Sequence, residues 1–349
     1  MWLLAAACSS AASAPQTSAP ATPVTQAPAP ARATGRVVRA RVIAAVDDAA
    51  ASEAAVHARK DQHVTLYALI ELDDGKFFSD APNVRGKQVQ PLVRGPDIML
   101  RWTRIEPAAA SYSNTEGGQF HFEQIEYRAT AIDGARAGSL VADVRPTLTP
   151  DHGGGVGTMR YQVVVTQGDR EIASPGVDAR RGRGSGGLTD DVLRVSIRRD
   201  DTYLGYLTEL YGQPYVWASA GITDATHQSE RLEGADCADF VVYGARRMGK
   251  KYAYTWTGGL PDISTLLAAG TRDDHGVYRD KHGDALPFTR VGDLVLFPRH
   301  VGVLVEDRGA IGVLDDQDII MHALFDTPKQ VPIADSGYAD KPLELRRFK

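Results

Sequence analysis

The chain places a thiol at Cys237, within Gly234-Ala235-Asp236-Cys237-Ala238-Asp239-Phe240-Val241-Val242-Tyr243, and its only other cysteine is Cys8. A thiolate is a strong nucleophile, but an ordinary thiol, with a pKa of about 8.5, is only slightly ionised at neutral pH. The start of a helix favours the anion, because the first-turn N–H groups are unpaired and the helix dipole is positive there. The sequence predicts that placement. Asp236 is a capping residue type, and Phe240, Val241, Ala245 and Met248 recur at the spacing of one helical face. The expectation is a thiol of lowered pKa, with the Cys237 N–H free to meet an oxyanion. The competing reading is a structural cysteine, since a free thiol packs as a small apolar group. The flanking Asp236 and Asp239 make this a poor address for a core residue.

A thiol nucleophile needs a base, and the base needs a group to orient it. The chain has nine histidines. His57, His63, His121 and His152 lie in its first half, and His227, His275 and His282 sit in polar stretches that read as exposed loops. His300 and His322 differ. His300 opens His300-Val301-Gly302-Val303-Leu304-Val305, and His322 sits in Ile319-Ile320-Met321-His322-Ala323-Leu324-Phe325. Two neighbouring antiparallel strands would set these imidazoles side by side. Each taken alone is more simply a packed or rim histidine.

These residues need a scaffold, and the chain supplies two kinds. Residues 36–199 read as an all-β domain of the sandwich or barrel type. Short apolar runs at 36–45, 63–72, 98–105, 140–144, 161–166 and 192–197 alternate with Gly, Pro and Asp breaks. Asp73-Asp74-Gly75 reads as a hairpin turn. The Ala-rich stretch 47–60 reads as a short helix or a loop. The basic stretch 180–187 reads as a solvated loop. From residue 200 the pattern changes to helices at 200–211, 237–248 and 262–269, then strands at 292–297, 301–305 and 319–325. Helices followed by an antiparallel sheet give an α+β fold class.

The net charge of −5 offers no electrostatic footprint for nucleic acid. No cofactor or metal site is read from the sequence. The N-terminus, Met1-Trp2-Leu3-Leu4-Ala5-Ala6-Ala7-Cys8-Ser9-Ser10, resembles the end of a bacterial lipoprotein signal (residues 1–8), with Cys8 as the lipidated residue. Ala5 stands where that pattern usually has Leu, and no basic region precedes it. The competing reading is an Ala-rich terminus that happens to hold a cysteine. Residues 9–35 are almost all Ala, Pro, Ser, Thr and Gln and read as a disordered tether. An anchor on Cys8 implies attachment to the periplasmic face of a bacterial membrane, and Ser9 is compatible with the outer membrane.

Four blocks in order resemble the NlpC family of papain-like bacterial cell-wall cysteine peptidases. They are Gly212-Gln213-Pro214-Tyr215-Val216-Trp217, Asp236-Cys237-Ala238-Asp239-Phe240-Val241, Gly292-Asp293-Leu294-Val295-Leu296-Phe297 with His300-Val301-Gly302-Val303, and Met321-His322-Ala323. The resemblance spans about residues 200–349. It implies a papain-like domain with Cys237 as nucleophile, His300 as general base and then acid, and His322 orienting His300. It also implies that Tyr215 and Asp236 shape the substrate and oxyanion site. The implied substrate is a peptidoglycan stem peptide, cleaved at an amide through a thioester, typically between D-glutamate and a diamino acid. A protein partner for the β domain is not specified. Ala238-Asp239 replaces the family's Ser-Gly, and residues 220–234 are longer than usual, as a segment that would cover the cleft. Residues 308–318 read as an added hairpin. Two alternatives stand beside this reading: a thiol amidase or acyltransferase acting on another substrate, and a non-catalytic wall-binding lipoprotein.

Overall fold

A computed structural model describes residues 32–182 and 184–349. The signal-like segment, Cys8 and most of the tether lie outside the described residues. The end of the tether does not match its expectation. The Ala33 N–H donates to the Arg94 carbonyl at 2.9 Å, Arg32 pairs with Asp97 at 2.8 Å, and the Gly35 carbonyl accepts from Gln167. Ordered backbone therefore begins earlier than composition alone suggests, because this stretch gains hydrogen bonds from distant loops.

Mixed sheets and few helices give an α+β architecture. In the first half, one sheet runs in the order Val37–Val46, Val64–Leu72, Phe77–Phe78, Val89–Gln90, with Ser139–Val141 also on Val64–Leu72. A second runs Tyr127–Ala131, Met99–Pro107, Gly157–Gln167, Arg194–Arg198, Val56–Arg59. Alternate residues of each sheet share one core: Ala40, Val42, Leu66, Ala68 and Ile70 from the first, Trp102, Tyr161, Val163 and Val165 from the second. The Asp73-Asp74-Gly75 turn is present, with Ile70 opposite Phe78. Stretch 47–60 is not helical. Ser52 bridges to Ala44, and Val56–Arg59 pairs in parallel with Arg194–Arg198. Backbone partners on a sheet edge outweigh the weak helix preference of alanine. Nor is 180–187 simply solvated. Arg180 pairs with Glu126, Arg181 pairs with the buried Glu233, and the Ser185 hydroxyl donates to that same carboxylate.

The second half holds a seven-stranded sheet ordered Tyr278–Arg279, Ser264–Arg272, Leu343–Phe348, Leu294–Phe297, His300–Glu306, Ile319–His322, Lys329–Pro332. The helix Cys237–Arg247 packs against strand His300–Glu306. The helix expected at 262–269 is instead a single turn, Leu260–Ile263, followed by strand Ser264–Arg272, which pairs with Leu343–Phe348 through a bulge at Leu266/Ala268. The run Ile263, Leu266, Leu267 is short enough to suit either period, and the neighbouring C-terminal strand decides it. Residues 308–318 form a loop rather than a paired hairpin. Asp318 folds it by accepting from the Arg308 and Asp315 N–H groups. The described residues Arg32–Lys349 form one compact unit. A single core runs from Trp102 and Tyr161 through Leu207 and Leu210 to Phe240, Val301 and Met321.

Candidate active site

Cys237 is the first residue of its helix. The Asp236 carboxylate caps that helix by accepting from the Ala238 N–H at 3.0 Å and the Asp239 N–H at 2.9 Å. Such a cap is worth about 1 kcal/mol, and an 11-residue helix needs it, since isolated helices this short are marginal. The cap also fixes the role of Asp236. Its Oδ1 takes both of these N–H groups, and the Cys237 N–H has no acceptor among the described residues. Ahead of the cap, Gly234 (φ 148°) lies against the Tyr215 strand. A Cβ there would fall 2.7 Å from the Pro214 carbonyl and 2.5 Å from the Val216 side chain. The close approach lets Ala235 bridge to Tyr215, and so brings Tyr215 to the thiol.

His300 and His322 meet as the sequence predicts. They stand on adjacent antiparallel strands, with His300 Nε2 2.9 Å from His322 Nδ1. His300 is wholly buried, stacked against Tyr338 with ring centroids 4.7 Å apart and flanked by Phe297. Its other nitrogen, Nδ1, is buried without a hydrogen-bond partner among the described residues, as is His322 Nε2. The N–H of the next residue, Val301, lies close enough to the Cys237 thiol to pull its pKa down. The strand that carries His300 thus passes beside the helix that opens at Cys237. Its approach is pinned by Gly292 in a left-handed turn (φ 94°) and by Asp293, whose carboxylate takes both Nε and a terminal nitrogen of Arg347 at 2.7 Å.

The electrostatics depart from the sequence expectation. The Cys237 thiol is only 4% exposed. Burial, then the charges of Asp236 and Asp239, push its pKa up, against the pull of the Val301 and Ala238 N–H groups. His300 is pushed down to about 3 by burial and the neighbouring His322, and His322 to about 4 by burial and Lys329. In this state the thiol and both imidazoles are neutral, and there is no standing thiolate–imidazolium pair. The favourable helix end is outweighed because the sulfur is out of water and two carboxyls share its helix turn.

Asp239 is accounted for. It is buried and faces away from solvent, accepting from the Ser219 hydroxyl at 2.5 Å and lying 3.5 Å from His227 Nε2. The same hydroxyl accepts the Asp236 N–H. Burial and the nearby Asp236 raise the Asp239 carboxyl well above its ordinary value, favouring the neutral acid. His227 was expected in solvent. It is 5% exposed, stacked on Tyr254 at 3.8 Å, and pushed down to about 4 by burial. Segment 220–234 therefore braces the helix start and does not line the cleft. His275 and His282 are exposed, as expected.

The cleft beside the site has a volume of about 700 Å³. Its walls are Tyr215, Trp217, Arg299, Phe325 and Tyr338 from the second half, and Ser111, Tyr112, Ser113 and Glu123 from the first. Strand Ser111–Ser113 pairs in parallel with Tyr215–Trp217. Phe325, 65% exposed with φ 49°, stands at the rim 5.2 Å from the Tyr215 ring. A larger groove of about 1000 Å³ lies on the far side of Pro298 and Arg299, away from the thiol. Tyr338, the Val301 N–H and the Ser111–Ser113 wall have no sequence signature. They sit in a glycine turn, on a backbone and in a polar three-residue strand. Among the described residues no cluster of His, Cys, Asp or Glu is arranged to hold a metal, and no helix is long and apolar enough to cross a membrane. Comparison with known proteins finds no match: no family model, no curated protein and no solved structure is similar to the chain.

Proposed function

We propose that the protein is a cysteine hydrolase with a papain-like catalytic domain that cleaves an amide of peptidoglycan stem peptides through a thioester. The observation that carries this reading is a buried His300–His322 pair at 2.9 Å, on strands beside the helix that Cys237 opens and Asp236 caps. The base-competent arrangement has His300 Nε2–H donating to His322 Nδ1, which leaves the His300 Nδ1 lone pair free. On attack, the sulfur bonds to the carbonyl carbon as Nδ1 takes the thiol proton. The oxyanion meets the Cys237 N–H and the Tyr215 hydroxyl. The proton then passes to the leaving amine, and water, deprotonated by the same nitrogen, hydrolyses the thioester. Because thiol and imidazole are both neutral at rest, proton transfer accompanies attack, as in a serine hydrolase.

The proposed setting is the periplasmic face of a bacterial membrane, the outer membrane, through a lipid on Cys8. Purified sacculi incubated with the protein should release cleaved stem peptides detectable by mass spectrometry. Cys237→Ala should lower release at least about a thousandfold, the scale seen when a catalytic nucleophile is removed. Full release by Cys237→Ala would exclude the thiol mechanism. The low exposure of Cys237 supports one second reading, a non-catalytic wall-binding protein. In that case wild-type and Cys237→Ala proteins bind sacculi alike and neither releases peptide.

A further inference from the structure

Arg299 is held where a glycine would be easier. In the hairpin of Leu294–Phe297 and His300–Glu306, Phe297 is paired with His300, leaving Pro298 and Arg299 as a two-residue loop. Proline fixes the first loop residue near φ −65°, and Arg299 follows at φ 67°. That combination is a type II turn, whose second central position favours glycine because it lies in the left-handed region. A branched or long side chain there is strained, and residues kept in such positions cluster at binding and catalytic sites. The side chain is exposed. It meets no carboxylate among the described residues, whereas Arg290, on the approach to the same hairpin, reaches Asp293. Its backbone is covalently joined to His300. Together with Pro298 it borders both the 700 Å³ cleft and the 1000 Å³ groove. The hydroxyl-bearing residues Ser111, Ser113 and Tyr338 line the cleft with it. Glu123, the carboxylate on that wall, is engaged by the Ser113 N–H.

We infer that Arg299 is a specificity residue that binds a free carboxylate on the substrate, one residue or less from the scissile amide. A guanidinium presents two parallel N–H donors that match a carboxylate and remains charged at every working pH. The inference rests on the hydrolase reading and deepens it. A glutamyl amide uses one carboxyl in the bond to be cut and keeps the other free, so such a substrate carries the required anion on the acyl residue itself.

The test is calorimetric binding to the full chain carrying Cys237→Ala, so that no turnover intervenes. The probes are two synthetic tripeptides, L-Ala-γ-D-Glu-L-Lys and its α-carboxamide counterpart. The carboxylate peptide should bind roughly tenfold tighter, the scale of one charge-assisted pair. Adding Arg299→Gly should erase the difference without lowering thermal stability, since glycine relieves the backbone. Arg299→Lys should keep part of it. Equal binding of the two peptides, no binding of either, or undiminished discrimination in Arg299→Gly would overturn the assignment. Discrimination in binding, with no cleavage of either peptide by the protein that retains Cys237, would sustain the carboxylate site and remove the hydrolase reading.

Discussion

Burial is the largest influence on the titration of Cys237, His300 and His322 alike. In water an isolated imidazole titrates at about 6.5. Here His300 is pushed down to about 3 and His322 to about 4, so both are neutral at physiological pH. A base must be neutral to accept a proton, and activity is lost as pH falls through the value at which it protonates. The acid limb of kcat/KM should therefore lie below about pH 5, well under the ordinary histidine value. The raised thiol gives the opposite signature. Alkylation of Cys237 by iodoacetamide should be slow at pH 7 and still be rising beyond about pH 9, the ordinary thiol range. The groups that face this pair are Asp236, Asp239, Tyr215, Lys329 and Asp326. An acid limb near 6.5 together with fast alkylation at neutral pH would mean that the thiol is solvated and paired with a charged imidazole.

At the scale of elements, the site depends on a capped helix and one hairpin, and both are visible in the sequence. Asp236, Phe240, Val241 and Gly249 mark the helix. Gly292-Asp293 and the apolar runs around Pro298-Arg299 mark the hairpin. Asp293 anchors that hairpin to the C-terminal strand through Arg347. Asp293→Ala should cost about 2 kcal/mol in urea unfolding, since it removes a charge-assisted pair from a buried carboxylate whose partner is partly solvated. A loss below about 0.5 kcal/mol, the range of neutral surface changes, would show that the sheet holds the hairpin unaided. Other elements could not be read locally. Ser264–Arg272 is a strand because Leu343–Phe348 lies beside it, and no residue within it announces that partner. Likewise, nothing in His227 or Asp239 predicts that they meet each other across Ser219. Contacts between distant segments decide these cases, and periodicity reports only local preference.

The whole molecule ties its halves together at the site. Glu209 is fully buried yet held down to about 2. Burial opposes that shift, and it is overcome by His57 first, then by Arg247 and the Tyr243 hydroxyl. His57 comes from the first half, while Tyr243 and Arg247 lie on the helix that begins at Cys237. Arg198, on strand Arg194–Arg198 of the first-half sheets, lies 3.6 Å from the same carboxylate. The first half also lends Ser111–Ser113 to the cleft wall. The β-rich half is thus part of the binding cleft as well as a separate run of strands in the sequence.

The central claim is that Cys237 carries the acyl group. The most direct measurement is peptide mapping of the protein quenched in acid during turnover of a stem peptide. A mass increment equal to the acyl fragment should appear on the peptide containing Cys237, should disappear with hydroxylamine, and should be absent from His300→Ala. Continued cleavage with no adduct at Cys237, or cleavage by Cys237→Ala, would contradict it.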